Sequence, residues 1–108
     1  MSREKFQTLT EQMYYVLLCL KSECCGMDIM GWVNKKTCGR VAIGPGTLYN
    51  LLEQFLDAQM IKETKVEGRK RSYTITEKGQ EMLEAEVARM KKLIFDYAQL
   101  NGKGGIDE

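Results

Sequence analysis

Apolar side chains recur at intervals of three and four residues in three segments of the N-terminal half, and this period marks one face of an α-helix. The pattern predicts helices over residues 10–22, 26–36 and 46–58. Pro45 precedes the third segment, and proline is favoured at the first turn of a helix because its missing N–H has no partner there in any case. The chain is therefore expected to begin with three consecutive helices.

Two segments in the second half of the chain favour strands. Residues 60–66 and 71–76 are rich in Ile, Val, Thr and Tyr, which have high β-propensity. Gly68 lies between them and can adopt the positive φ of a tight turn, so the pattern predicts a β-hairpin with a basic tip. The apolar run at residues 41–43 predicts one further small strand.

A last helix is predicted over residues 76–100, and its apolar positions are separated alternately by four and three residues. This is the spacing of a coiled-coil seam. A chain of 108 residues has little core with which to cover such a stripe, so a second copy is expected to pack against it and against the first helix. The predicted dimer interface consists of Met13, Leu17, Leu83, Val87, Met90, Ile94 and Tyr97.

The order of these elements predicts the fold. It is mainly α with a small β-hairpin (α+β): a winged helix-turn-helix followed by a long C-terminal dimerisation helix. The predicted domain organisation is a flexible leader at residues 1–8, a DNA-binding winged helix-turn-helix at 9–76, the dimerisation helix at 77–100 and a flexible tail at 101–108.

The net charge of +1 is unevenly distributed along the chain. Residues 34–46 contain three basic side chains and no acidic one, and residues 62–71 contain five basic and two acidic side chains. Concentrated positive charge is typical of a surface that binds nucleic acid, although two solvated loops explain the charge pattern equally well.

The winged-helix interpretation places both basic segments on one DNA-binding surface. The start of the third helix would enter the major groove and the hairpin would form the wing, with the cations on phosphates. The predicted DNA-binding residues are Lys35, Lys36, Arg40, Pro45, Gly46, Thr47, Tyr49, Asn50, Arg69, Lys70 and Arg71. In the structural alternative, Thr47 caps the helix and Tyr49 packs. A two-fold dimer would read double-stranded DNA as a palindromic operator with half-sites about 34 Å apart.

Composition argues against other classes of protein. The chain has no His and no nucleophile, phosphate-loop or dinucleotide motif, so we expect neither an enzyme nor a cofactor nor a metal site. No apolar run approaches a membrane span and no signal peptide is visible, which predicts a cytoplasmic protein that does not bind a membrane. The adjacent Cys24 and Cys25 leave open a thiol- or metal-responsive regulator as an alternative. A winged-helix module that binds protein is a further alternative.

Five short segments in this order resemble the PadR family of bacterial transcriptional regulators. They are L-T-E at residues 9–11, C-G-M-D-I-M at 25–30, G-P-G-T-L-Y at 44–49, G-R-K-R-S-Y at 68–73 and T-E-K-G at 76–79. The likeness extends over about residues 9–97, and the single C-terminal helix is similar to that of the short PadR subgroup.

The resemblance implies a homodimeric repressor that a small effector releases from its operator. Some short members bind planar aromatic or drug-like cations in an apolar pore between the two subunits, using a Trp of the last helix. Here the one Trp is Trp32, in the second predicted helix, and the last helix carries Phe95 and Tyr97 instead. The candidate effector pocket is accordingly assigned to Tyr14, Phe95 and Tyr97.

Overall fold

A computed structural model describes residues 8–104, which form four helices and three short strands. The elements in chain order are α1 (Glu11–Cys19), β1 (Cys24–Cys25), α2 (Gly26–Lys36), α3 (Pro45–Asp57), β2 (Ile61–Glu67), β3 (Lys70–Ile75) and α4 (Glu77–Gly104). The winged helix-turn-helix with a long last helix is confirmed. Residues 1–7 of the flexible leader predicted at 1–8, and residues 105–108 of the flexible tail predicted at 101–108, lie outside the described residues.

The first helix begins one residue after its predicted start and ends three residues before its predicted end. The Met13 N–H donates to the Thr10 side chain at 3.1 Å, which makes Thr10 the N-cap. The helix ends at Cys19 because the backbone then tightens into i to i+3 hydrogen bonds. The Leu20 carbonyl accepts from the Ile75 N–H at 2.8 Å instead, so the end of α1 is attached to the hairpin.

The three strands form an antiparallel sheet in the order β1-β3-β2. The hairpin of β2 and β3 is formed as predicted, with Gly68 at φ +63° in its turn and an irregularity between Glu63 and Lys65. The edge strand β1 pairs Cys24 with Tyr73 and was not predicted. Two residues are too few for an alternating pattern, so the sequence carries no signal for this strand.

The strand predicted at residues 41–43 is wrong. Val41 and Ile43 are buried in the core, but their backbone belongs to the loop between α2 and α3. The buried Thr37 side chain holds that loop: its hydroxyl accepts from the Val41 N–H at 3.0 Å and donates to the Val33 carbonyl at 2.9 Å. The apolar run at residues 41–43 therefore reflects a loop whose side chains are buried, and not a strand paired in a sheet.

The core lies between the first three helices and the base of the sheet, and it contains two residues that we assigned to the dimer interface. Leu17 is 0% and Leu83 3% exposed, so both pack inside this chain and offer no surface to a partner. The largest fully buried side chains around them include Leu20, Ile29, Leu48, Leu52, Phe55 and Met60.

The last helix is capped at its start and longer than predicted. The Gly79 N–H donates to the Thr76 hydroxyl at 3.1 Å, which identifies Thr76 as the capping residue. The helix continues to Gly104, so the predicted tail is helical over residues 101–104. Its 28 residues span about 42 Å at 1.5 Å per residue, and residues 91–100 are exposed to solvent.

Candidate nucleic-acid interface

The third helix buries one face and exposes the residues predicted to contact DNA. Leu48, Leu51, Leu52 and Phe55 face the core. Thr47, Tyr49 and Asn50 are exposed on the first turns, and Pro45 and Gly46 are exposed at the start. Gly44, not Thr47, is the N-cap, so the Thr47 hydroxyl is not needed for capping. The start of α3 thus presents the side chains of a threonine, a tyrosine and an asparagine to solvent.

Tyr49 is both packed and exposed. Its ring lies against Gly26 at the start of α2, where a Cβ would be only 2.8 Å from the phenolic oxygen. The side chain is nevertheless 45% exposed. Both interpretations of this residue are therefore compatible with its position: the contact with Gly26 fixes the ring, and the exposed part of the ring remains accessible.

The wing carries cations at its tip. Arg69, Lys70 and Arg71 are exposed beside the turn at Gly68. Arg71 donates to the Glu63 carboxylate of the neighbouring strand at 2.8 Å. Arg69 and Lys70 have no carboxylate within 4.0 Å among the described residues, so their charge is uncompensated there.

One cleft brings the wing and the start of α3 together. It has a volume of about 570 Å³, and its lining includes Tyr49 of α3 and Arg69, Lys70 and Arg71 of the hairpin. Tyr73 of β3 also lines it and is 5% exposed. Burial, followed by the nearby Glu63 carboxylate, raises the pKa of the Tyr73 phenol, which therefore remains a neutral donor at physiological pH.

The cations of the first basic segment fall into two groups. Lys35 and Lys36 are exposed in the last turn of α2. Arg40 instead turns towards α1, where it forms an ion pair with Glu11, donates to the Tyr15 hydroxyl at 3.0 Å and lies 5.8 Å from the ring centroid. The hydrogen bonds to Glu11 and Tyr15 raise the pKa of the guanidinium. Arg40 is thus engaged in fixing the loop before α3, a role that sequence spacing does not reveal.

The remaining predicted interface residues are Met13 on α1 and four residues along α4. Met13, Val87 and Met90 are partly buried, whereas the outer half of the helix exposes apolar side chains to solvent. These side chains are 55–77% exposed in the single chain: Leu93, Ile94, Phe95, Tyr97 and Leu100.

The candidate effector residues are not enclosed together by one chain. Tyr14 is half-buried on α1 and packs edge to face with Tyr15, at 5.2 Å between ring centroids. Phe95 and Tyr97 are 59% and 71% exposed on α4. A pocket lined by all three residues would therefore need the surface of a second protein chain to enclose it.

Two of the four cysteines, Cys19 and Cys24, are held in their protonated form. Burial, together with the adjacent Cys24 thiol, raises the pKa of Cys19 to about 12, and burial also raises the pKa of Cys24. Both shifts favour the protonated thiol, which is the unreactive form. Among residues 8–104 no three side chains of the Cys, Asp or Glu type cluster as metal ligands would.

Comparison with known proteins decides the family. The family model of the PadR-like transcriptional regulators matches residues 16–85, from α1 into the first part of α4. The chain belongs to the PadR-like family. The predicted resemblance is thereby confirmed, and the three helices and the wing are parts of a PadR winged-helix DNA-binding fold. No functionally curated protein matches the sequence.

Solved structures of PadR proteins share this fold at low sequence identity. A PadR-like transcription factor from Bacteroides fragilis is 24% identical, with a TM-score of 0.71 over 82% of this chain and 88% of that one. A PadR-family regulator from Eggerthella lenta is 18% identical, with a TM-score of 0.72 over 82% and 80%. PadR from Bacillus subtilis in complex with operator DNA is 23% identical, with a TM-score of 0.64 over 72% of this chain and 48% of that one. Over the described part of the PadR chain, no helix has the length and hydropathy to cross a bilayer.

Proposed function

We propose that this PadR-family regulator is a homodimeric repressor that binds a palindromic operator through α3 and the wing, and that a small effector releases it. One observation carries the DNA-binding part of the proposal. Tyr49 of α3 and the wing cations Arg69 and Lys70 border the same cleft, which makes the helix start and the basic tip one continuous surface. A duplex lying on that surface would meet both at once, as in other winged helices.

Each part of this surface has a chemical task on DNA. The wing cations, with Lys35 and Lys36 as supporting contacts, would neutralise phosphates and supply affinity without sequence choice. Thr47 and Asn50, exposed on the first turns of α3, would contact base edges, where a carboxamide pairs with adenine. The exposed turn at Pro45 and Gly46 lets the backbone of the helix start approach a phosphate.

The exposed apolar face of α4 supports a dimer. Monomeric proteins rarely leave a row of large apolar side chains in water, and Ile94, Phe95 and Tyr97 are each more than half exposed in the single chain. A second copy would cover this face, joined by the partly buried Met13, Val87 and Met90. The same association would enclose Phe95 and Tyr97 near Tyr14, which is the basis for an effector pocket between subunits.

Footprinting on the DNA upstream of the protein's own gene tests the proposal. Two protected half-sites with two-fold symmetry are expected, one helical turn or a multiple of it apart. The affinity is expected to fall linearly with salt concentration on logarithmic axes. Binding without symmetric protection would contradict the palindromic operator. An absence of salt-dependent binding would favour the protein-interaction module over the repressor.

A further inference from the structure

Alternate residues of the loop between α2 and α3 face inwards. Val41 and Ile43 are 6% and 7% exposed and pack in the core. Arg40 and Ala42 alternate with them and are exposed. The core therefore holds the loop from one side only. Groups that hold Arg40 and Ala42 from the other side also determine where α3 starts, because this helix begins at Pro45, two residues after Ile43.

The first two turns of α1 hold the outward side of this loop. Arg40 forms an ion pair with Glu11, and its other terminal nitrogen donates to the Tyr15 hydroxyl at 3.0 Å. The Gln12 side-chain amide donates to the Ala42 carbonyl at 3.2 Å. These contacts join residues that are 25–30 positions apart, so only the tertiary fold creates them. Glu11, Gln12 and Tyr15 together are termed the α1 clamp.

The α1 clamp is itself fixed to the rest of the chain. Thr10 caps α1 directly before Glu11 and accepts from the Met13 N–H at 3.1 Å. The buried Leu9 donates its backbone N–H to the Glu86 carboxylate of α4. The clamp therefore positions the loop relative to the long helix as well as to α1.

The position of α3 matters more for base contacts than for phosphate contacts. A hydrogen bond to a base edge needs a donor–acceptor distance of ~2.7–3.2 Å and a nearly linear geometry. Flexible Lys and Arg side chains can follow a displaced phosphate, because their attraction to it is long-ranged. Thr47 and Asn50 lie on the first two turns of α3, directly after the loop. A loop that is ordered in advance spares these residues the cost of ordering on binding.

We propose that the α1 clamp is a set of positioning residues for sequence recognition: by holding Arg40 and Ala42 it sets the start of α3, without itself contacting DNA. The inference rests on the proposed function, since it concerns how the same surface distinguishes an operator from other DNA. It gives Glu11, an acidic side chain, a favourable part in binding a polyanion. A direct phosphate contact from Arg40 predicts the reverse, because Glu11 would then compete with the phosphate for the guanidinium.

Affinities of the full chain for two duplexes test this assignment: one that the protein selects from a random pool, and one with the same bases in shuffled order. Glu11→Gln removes a negative charge, which on electrostatic grounds alone strengthens DNA binding. The variant is instead expected to lower the ratio of selected to shuffled affinity at least about fivefold, as the loss of one base contact would. Glu81→Gln removes the same charge from an exposed position of α4 and is expected to keep the parent's ratio. Tighter binding of Glu11→Gln to both duplexes at an unchanged ratio would overturn the proposal.

Variants of Arg40 separate positioning from direct contact. Arg40→Lys keeps the charge but lacks the planar fork that reaches Glu11 and Tyr15 together. Its affinity ratio is expected to fall as in Glu11→Gln while its salt slope stays that of the parent, whereas a phosphate contact would preserve both quantities. The double variant Glu11→Gln with Arg40→Gln is expected to lose no more of the ratio than either single variant, because all three break the same contact. Losses that add would overturn the clamp.

Hydrogen exchange without DNA separates this proposal from the proposed function. The Leu48 N–H donates to the Gly44 carbonyl at 2.9 Å across the first turn of α3, and its exchange is expected to accelerate severalfold in Glu11→Gln and Arg40→Lys. Exchange at the buried Leu52 is expected to stay that of the parent, because an exposed ion pair adds little to global stability. Parental protection of Leu48 in both variants would overturn the clamp and leave the repressor standing. Faster exchange at Leu48 in a protein that selects no duplex would support the clamp and contradict the proposed function.

Discussion

Gly79 lies directly against the carbonyl oxygen of Met60: a Cβ at position 79 would be 2.1 Å from that oxygen. The same carbonyl accepts a hydrogen bond from the Thr76 N–H at 2.9 Å, so it cannot move away without breaking that bond. The contact joins the first turn of α4 to the turn before β2. It therefore sets how the long helix leaves the DNA-binding domain.

Gly79→Ala is expected to destabilise the protein by about 1–3 kcal/mol, because the new methyl group must push two backbone segments apart. Urea unfolding followed by circular dichroism measures this change. Gly31→Ala is the matched control: it is also a helical glycine, and nothing lies within 4 Å of its Cβ position. That variant is expected to gain about 0.5–1 kcal/mol from helix propensity. Destabilisation of both variants by the same amount would contradict the specific contact.

Arg69→Ala with Lys70→Ala is expected to weaken binding to every DNA sequence and to reduce the logarithmic salt slope by about one unit per lost phosphate contact. Fluorescence anisotropy over a salt series measures both quantities. Lys91→Ala with Lys92→Ala removes the same charge from α4 and is the control. An unchanged slope in the wing variant would remove the wing from the DNA-binding surface.

Sequence patterns predicted the elements that have a periodic face and a cap. Helix α2 was predicted with its observed bounds, and the hairpin and α3 within about a residue. The edge strand β1 was missed because Cys24 and Cys25 are too short a run to show a period. The loop at Val41 and Ile43 was mistaken for a strand because burial, and not sheet pairing, selects its apolar side chains.

Residues of the candidate site could likewise be predicted only where a single element determines their exposure. Spacing and charge identify exposed residues such as Lys70 and Asn50, because the exposure of each follows from the strand or helix that carries it. The partners of Arg40 are 25 and 29 residues away on α1, so only the tertiary fold brings Tyr15 and Glu11 to it. Leu17 was wrongly assigned to the dimer interface, because the apolar face of a helix does not show which of its residues pack against a partner. Some of them pack in the core of their own chain instead.

Glu86 is a buried carboxylate on α4, 5% exposed. The hydrogen bond from Arg89, together with a backbone hydrogen bond from Leu9, lowers its pKa despite the opposing effect of burial. A lowered folded-state pKa means that the carboxylate stabilises the protein at all pH values above its unfolded pKa of about 4.3. That stability is expected to be lost as the pH falls below this value and through the folded-state pKa.

Glu86→Gln is expected to lower the free energy of unfolding at pH 7 and to leave a flatter dependence between about pH 5 and 3. Urea unfolding at a series of pH values measures the difference. Glu81→Gln, an exposed carboxylate of the same helix, is the control and is expected to follow the parent. A Glu86→Gln curve parallel to that of the parent throughout this range would contradict the assigned ionisation.

A thiol-responsive regulator requires reactive cysteines, whereas the structure predicts that Cys19 reacts slowly. With a pKa of about 12, Cys19 is expected to react with iodoacetamide at pH 8 far more slowly than the exposed Cys38. Peptide mass mapping over time measures both rates in the folded protein. Equal rates would contradict the burial of Cys19, and loss of operator binding in step with its alkylation would restore the thiol-responsive regulator.

Ile94→Lys tests the dimer without disturbing the fold of the chain, since Ile94 is 66% exposed in the single chain. If two copies of α4 pack along this face, the variant places an unpaired charge in each half of an apolar interface. Each copy also loses the ~1.5–3 kcal/mol gained by burying an isoleucine. Dimer dissociation is therefore expected to become at least about 100-fold more favourable.

Sedimentation equilibrium over a range of concentrations measures this change. Gln99→Lys adds the same charge at an exposed polar position of α4 and is expected to remain as dimeric as the parent. Circular dichroism is expected to show an unchanged fold in both variants. An Ile94→Lys protein that sediments as a dimer at the lowest concentrations would refute α4 as the interface. A monomer that still protects two symmetric half-sites would break the link between the dimer and the palindrome.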